Sequence, residues 1–153
     1  MEDSISNEIK EFVNKVKLGF IATVCPDGTP NLSPKGTTIA WDAHHIAFAD
    51  IHSPGTINNL RANPSIEINI VDPFTRKGFR FKGQGQVLSG GTVFDEILSY
   101  YRNSGSKHPI KNIVLVKVDK ILPLISPAYF ASRSEYEIKN WWVQYWDDIN
   151  KNG

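Results

Sequence analysis

The chain has 153 residues, 41% apolar and 22% charged, a composition that suits a single domain over residues 1–153 and excludes a disordered chain. Lysine and arginine total 17 against 16 acidic residues, a formal net charge of +1, which speaks against a partner that is nucleic acid or an anionic membrane. One cysteine, Cys25, allows no intrachain disulfide. The acidic start Met1-Glu2-Asp3-Ser4 is unlike a secretion signal, and no run approaches the roughly 20 apolar residues of a membrane helix; the expectation is a soluble, cytoplasmic protein.

In chain order, Ser4 or Ser6 caps a first helix with Ile5, Ile9, Phe12, Val13 and Val16 on one face, and Gly19 ends it. Phe20 to Val24 is a strand, Pro26-Asp27-Gly28-Thr29-Pro30 a tight hairpin turn, and Asn31 to Thr38 the returning strand. After a turn at Trp41-Asp42-Ala43-His44, Ile46 to Ala49 forms a short buried strand. Ser53-Pro54-Gly55-Thr56 opens a short helix that Asn63-Pro64 stops. Ile66, Ile68 and Ile70 alternate with polar residues as in a half-buried strand. Gly78 to Leu88 alternates again, and Gly83 and Gly85 predict a bend or bulge. A helix over Thr92 to Tyr101, a strand over Asn112 to Val118 and its extension over Ile121 to Ile125 follow. A last helix is capped by Ser132 with Glu135 or by Ser134 with Glu137. Short strands, hairpins and inserted helices predict a mainly β protein with flanking helices, an antiparallel barrel. No glycine-rich turn follows the first strand, so a dinucleotide-binding doubly wound sheet is excluded.

Three clusters carry candidate chemistry. In Asn31-Leu32-Ser33-Pro34-Lys35-Gly36, proline marks a sheet edge, and a hydroxyl, an ammonium and a glycine beside it suit a phosphate. The same residues also suit an ordinary surface turn. His52-Ser53-Pro54-Gly55-Thr56 opens a helix whose free N–H groups attract an anion, or is plain capping. Arg80 and Lys82 share a strand face, either toward a ligand or simply solvated.

Taken in order, Gly19 to Val24, Asp27 to Pro30, Asn31 to Gly36, Phe48-Ala49-Asp50, Thr56 to Leu60, Asn63-Pro64 and Phe79 to Gly83 resemble the FMN-binding split barrels of the pyridoxamine 5'-phosphate oxidase-like family. The resemblance covers roughly residues 5 to 90. It implies a six-stranded Greek-key-type split barrel forming a homodimer with FMN at the interface. It also implies a phosphate held by Ser33, Pro34, Lys35 and Gly36 with Gly55 and Thr56, and a ring running beside Ala49, Asp50 and Ile51. Asn59 and Arg80 are further contacts by the same resemblance. The position before Thr56, often basic in the family, is Gly55 here, which places more of the charge neutralisation on Lys35 or Arg80. The C-terminal pattern that holds pyridoxine in true pyridoxamine-phosphate oxidases is not visible.

Other features point elsewhere. Trp142, Tyr145, Trp146 and Ile149 form one apolar helix face with Trp141 to one side, suited to core or dimer packing or to covering a partner's flavin. His44, His45, His52 and His108 lack metal-ligand spacing, and no nucleophile system is evident. Lys77 to Lys82 resembles part of an RNA-recognition motif, with Arg80 where glycine or alanine is expected. The reading is therefore an FMN-dependent oxidoreductase or electron carrier acting on a small molecule, with no catalytic side chain assigned. The alternatives are a non-catalytic flavin, deazaflavin or haem binder, and an RNA-binding module.

Overall fold

The structure is a computed structural model that describes residues 3–153; Met1 and Glu2, read above as part of an acidic start, lie outside the described residues. Helix α1 (Asn7–Val16) is capped by Ser6, whose hydroxyl accepts from Ile9 N–H at 3.2 Å. Ile5 and Val13 are buried, and Ile9, Phe12 and Val16 pack on the same core, as the apolar stripe predicts. The helix ends at Lys17, not Gly19: Lys17 adopts φ 62° and its N–H bonds Val13 C=O. Gly19 answers a different need. It opens strand β1 (Gly19–Val24), where a Cβ would stand 2.5 Å from Thr38 Oγ1.

One antiparallel sheet of seven strands follows, rather than the expected six. Its members are β1, β2 (Pro30–Lys35), β3 (Ile39–Ala40), β4 (His45–Asp50), β5 (Ser65–Val71), β6 (Lys77–Leu88) and β7 (Asn112–Ile125), in the order β2-β1-β5-β6-β7-β4-β3. The extra strand arises because the segment expected to run from Asn31 to Thr38 breaks after Lys35. The chain resumes in β3, beyond the expected segment, at the opposite edge of the sheet. Three residues, 36–38, join those edges, and three residues reach about 10 Å at most. The sheet must therefore curl until its edges nearly meet, closed by a covalent link and not by a ladder: a split barrel. Thr38, fully buried, donates to Lys35 C=O at 2.8 Å, and Thr37 Oγ1 accepts from Ala49 N–H at 2.9 Å.

Strand β6 bends where glycine predicts it. The register shifts between Lys82 and Gly83, and a Cβ on Gly83 would lie 2.0 Å from Lys117 C=O. Strand β7 runs through the two expected segments without a break, pairing with β4 in its first half and with β6 along its whole length.

Directly paired residues share a face. Ile21, Ser33, Ile68 and Phe81 therefore point into the barrel, while Ala22, Leu32, Glu67 and Lys82 point out. The interior is filled by Ile21, Ile46, Phe48, Ile68, Phe81 and Val114, none more than 1% exposed. A second cluster packs Ile97 and Tyr101 of α3 (Thr92–Asn103) on Ala47, Ala49 and Ile113. Helix α2 (Pro54–Ala62) plugs the barrel with Ile57 and Leu60. Helix α4 (Glu135–Asn152), capped by Ser134, buries a single residue, Ile138, so the tryptophans are not core. No described helix is long and apolar enough to cross a membrane.

Gly83→Ala should lower stability by about 2–3 kcal/mol, because the obstructing atom is backbone. Gly36→Ala, with open space around its Cβ position, should stay within about 0.5 kcal/mol. Denaturant unfolding of the two variants measures the contrast.

Candidate functional site

Alternation on edge strand β2 turns Asn31, Ser33 and Lys35 toward the barrel side, opposite Thr23, Ile21 and Gly19. All three are half-buried. Lys35 Nζ donates to Ser33 Oγ. Burial holds the Lys35 ammonium below the ordinary lysine value of 10.5, and the Asp50 carboxylate partly offsets this. Lys35 is thus a charge kept partly out of water, next to a hydroxyl.

Asp50 ends β4 and is 4% exposed. Its Oδ1 accepts from Ser53 N–H and its Oδ2 from Asn112 Nδ2, each at 2.8 Å. These bonds shape residues 51–53, the loop that leads into α2. The helix start that results is bare: Ser53 makes no side-chain cap, Pro54 occupies the first turn, and no acidic residue lies there. The first-turn amides of Gly55 and Thr56 have no carbonyl of their own helix to bond. Gly55 is exposed with nothing within 4 Å of its Cβ position, whereas Thr56 is 3% exposed.

Asn59, 5% exposed, faces the sheet. Its Nδ2 donates to Thr23 Oγ1 at 3.1 Å and approaches Cys25 Sγ at 3.7 Å. Asn31 Nδ2 reaches the same Thr23 oxygen at 3.5 Å. Thr23 therefore ties α2 to the polar face of β2, and the two halves of the predicted phosphate site are mechanically joined.

Among the predicted site residues, Lys35 is hydrogen-bonded to Ser33 and lies in the field of the Asp50 carboxylate, Asp50 leads on through Ser53 to Gly55 and Thr56, and Asn59 is linked through Thr23. Gly36 follows on the exposed turn and Ile51 is half-buried in the Asp50 loop. Pro34 is exposed and points to the outer face. Ala49 directs its side chain into the α3 cluster, and its N–H is engaged by Thr37 Oγ1. Arg80 does not join the group. It pairs with Asn69, itself opposite Phe20, on the outer face and forms an ion pair with Glu67 at 2.8 Å. On the same strand, Phe81 is 1% exposed and Phe79 packs edge-on against Phe12 with centroids 5.3 Å apart. These rings are turned inward, which removes the stacking platform an RNA-recognition strand needs.

Thr23 and Thr37 escaped the sequence reading, as did Asn112, and Asn31 was given no role within its cluster. Thr23 and Asn31 were detectable, because the Asp27-Gly28 turn sets them opposite each other. Asn112 lies 62 positions from Asp50 and carried no local signal. Tyr101, whose hydroxyl donates to Thr37 C=O at 2.6 Å, is pushed well above the usual phenol range by burial. It acts as a buried strut and not as an acid.

The fold is a split barrel, and comparison with known proteins shows its family. The chain belongs to the pyridoxamine 5'-phosphate oxidase family, whose model matches residues 5–124. It is similar to HupZ of Group A Streptococcus, with 27% identity over 80% of this chain and 95% of that one, at a TM-score of 0.71. It shares the fold of an FMN-binding protein from Syntrophomonas wolfei subsp. wolfei, with 21% identity, 75% and 82% coverage and a TM-score of 0.66. It also shares the fold of an F420 reductase, with 20% identity, 77% and 98% coverage and a TM-score of 0.60. No curated protein sequence matches significantly.

Asp50→Asn should move the Lys35 titration further below 10.5, since the carboxylate is what raises it against burial. The lysine side-chain NMR signal followed against pH reports the direction. An upward move would overturn the assigned electrostatics.

Proposed function

We propose that this protein binds FMN as a homodimer, with the phosphate between β2 and the start of α2 and the flavin at the dimer interface. Lys35 and Ser33 neutralise and orient the phosphate from one side. The turn at Gly36 and the first-turn amides of Gly55 and Thr56 receive it from the other. The segment Ala49 to Ile51 borders the ring system. Arg80, turned to the outer face, takes no part in the clamp.

The donor set fits the group. It combines one flexible cation, one hydroxyl, two glycines with open space at their Cβ positions, and a helix start without acidic residues or a side-chain cap. The observation that carries the reading is Lys35. It is a half-buried ammonium with a hydroxyl neighbour but no ion pair among the described residues, an electrostatically incomplete arrangement that a phosphate completes. Bound FMN would supply the redox chemistry, as an oxidoreductase or electron carrier for a small molecule in the cytoplasm. The chain's own residues bind and orient; no acid or base side chain is assigned to the reaction.

Lys35→Ala should weaken FMN binding by about 10- to 100-fold, the worth of one charge-assisted bond. Thr56→Ala in addition should weaken it further. Folding stability of Lys35→Ala should be unchanged or slightly higher, because a partly desolvated charge is removed. Fluorescence titration with FMN alongside denaturant unfolding reads both; wild-type affinity in the double variant would remove the proposed site.

The pH dependence has a definite sign. Lys35 is charged below its lowered pKa, so FMN affinity is full there and falls as pH rises through it, earlier than an ordinary lysine at 10.5 would allow. Lys35→Arg, charged throughout, should flatten the fall.

A further inference from the structure

The far end of α2 borders a cleft that the flavin reading leaves unused. Past the pairing of Ser65 with Gln84, β5 no longer covers β6. Gly85 N–H bonds Pro64 C=O at 2.8 Å, which ties the end of α2 to this uncovered stretch. Residues two apart on a strand turn their backbone groups to the same side. The N–H and C=O of Val87 therefore face the same edge, where no strand lies opposite. A cleft of about 530 Å³ opens there, within the usual size of a small-molecule site. A Cβ on Gly85 would stand 3.1 Å from Leu60 Cδ2, so glycine there gives Leu60 its place in the cleft wall. Leu115 adds a second apolar surface.

The charged lining has one sign. Arg61 and Lys117 line the cleft, and no acidic residue does. Arg61 forms no ion pair among the described residues, and its charge exceeds the half charge of the helix end beside it. The Asp42 carboxylate bonds His45 Nδ1 at 2.8 Å and does not line the cleft, so Nε2 is the ring nitrogen open to a ligand. Strand register arranges the rest. Gln84 stands opposite Lys117, and Lys117 opposite His45, so the three side chains share the outer face. Gln86, two residues beyond Gln84, takes the same face. A carboxamide offers a donor and an acceptor side by side, the pattern that reads the N6/N7 edge of adenine.

We infer that this cleft is a second ligand site, which takes an adenine mononucleotide. The phosphate lies against Arg61 and Lys117, and the base lies on the apolar surfaces with its edge toward Gln84 and Gln86. Two cations match the two charges of a phosphate monoester, whereas a monocarboxylate would leave one of them uncompensated. The site is separate from the flavin clamp and shares no residue with it. Arg61 stands in the last turn of α2 and Gly55 and Thr56 in the first, about 9 Å away along the helix axis. Ala49 and Asp50, beside which the flavin ring is proposed, end β4, while His45 begins it. The inference therefore does not rest on FMN.

Isothermal titration calorimetry of the full chain with AMP, adenosine and ribose 5-phosphate tests it. AMP should bind at least about 10-fold tighter than either fragment. Arg61→Ala should weaken AMP about 10- to 100-fold, the worth of one charge-assisted bond. Gln84→Ala with Gln86→Ala should bring AMP down to the affinity of ribose 5-phosphate. The side-chain amide NMR signals of Gln84 and Gln86 should shift when AMP is added, which places the ligand in this cleft. Lys35→Ala should keep full AMP affinity and Arg61→Ala full FMN affinity, so the two sites succeed or fail separately. No AMP binding at millimolar concentration, adenosine or ribose 5-phosphate equal to AMP, or wild-type AMP affinity in Arg61→Ala with Lys117→Ala would overturn the inference.

Discussion

The structure depends on a link of three residues. Gly36, Thr37 and Thr38 carry the chain from one edge of the sheet to the other, and so short a span forces seven strands to curl rather than lie open. The link is held from several directions. Thr38 bonds back to Lys35 and fills the space that Gly19 leaves, while Thr37 is gripped by Ala49 from β4 and by Tyr101 from α3. Barrel closure, the packing of α3 and the end of β2 are consequently one mechanical problem. A side chain at position 19 would disturb all three.

The candidate site inherits its geometry from this closure. Because β2 ends where the link begins, Ser33 and Lys35 stand at the lip of the barrel, half out of water. Asp50 reaches the same region from β4, next to the far edge of the sheet, where it shapes the α2 loop and stays close enough to support the Lys35 charge. One carboxylate therefore does two things: it orders a helix start that welcomes an anion, and it tempers the cost of burying the cation beside it. One backbone and one side-chain donor already occupy Asp50, which would limit its repulsion of the phosphate proposed there. The Thr23 hub fixes the remaining distance, between α2 and β2.

Anchoring and exposure divide α4 in the same way. Its first turns are bound to the β5–β6 hairpin by an ion pair and a cation–π contact, and the turn before it by the Tyr129 hydrogen bond to Thr75. Its later turns carry aromatic rings that contact one another but stay half-exposed. An uncovered ridge of that size is costly in water, since each ring leaves about half of a large apolar area exposed. The barrel does not need this helix for its core, where Ile138 is its lone buried residue.

The sequence by itself determined most of the local structure. Alternation at Ile66–Ile70, the Asp-Gly turn, the Asn63-Pro64 stop and the bend at Gly83 are set by steric rules acting over a few residues. The ordered series of such signals was enough to identify the family. Only the tertiary structure decided what depends on distant partners. It ended the expected Asn31–Thr38 strand at Lys35 and started a new one at Ile39 on the opposite edge, assigned Gly19 to close packing and Lys17 to the helix end, and turned Arg80 away from Lys35 through the register of β5 and β6. It also recruited Asn112 to hold Asp50 across 62 positions. Propensity and periodicity act within a turn or a strand. Burial of charge, and the pairing of residues that fixes which face a side chain takes, exist only once the sheet has closed.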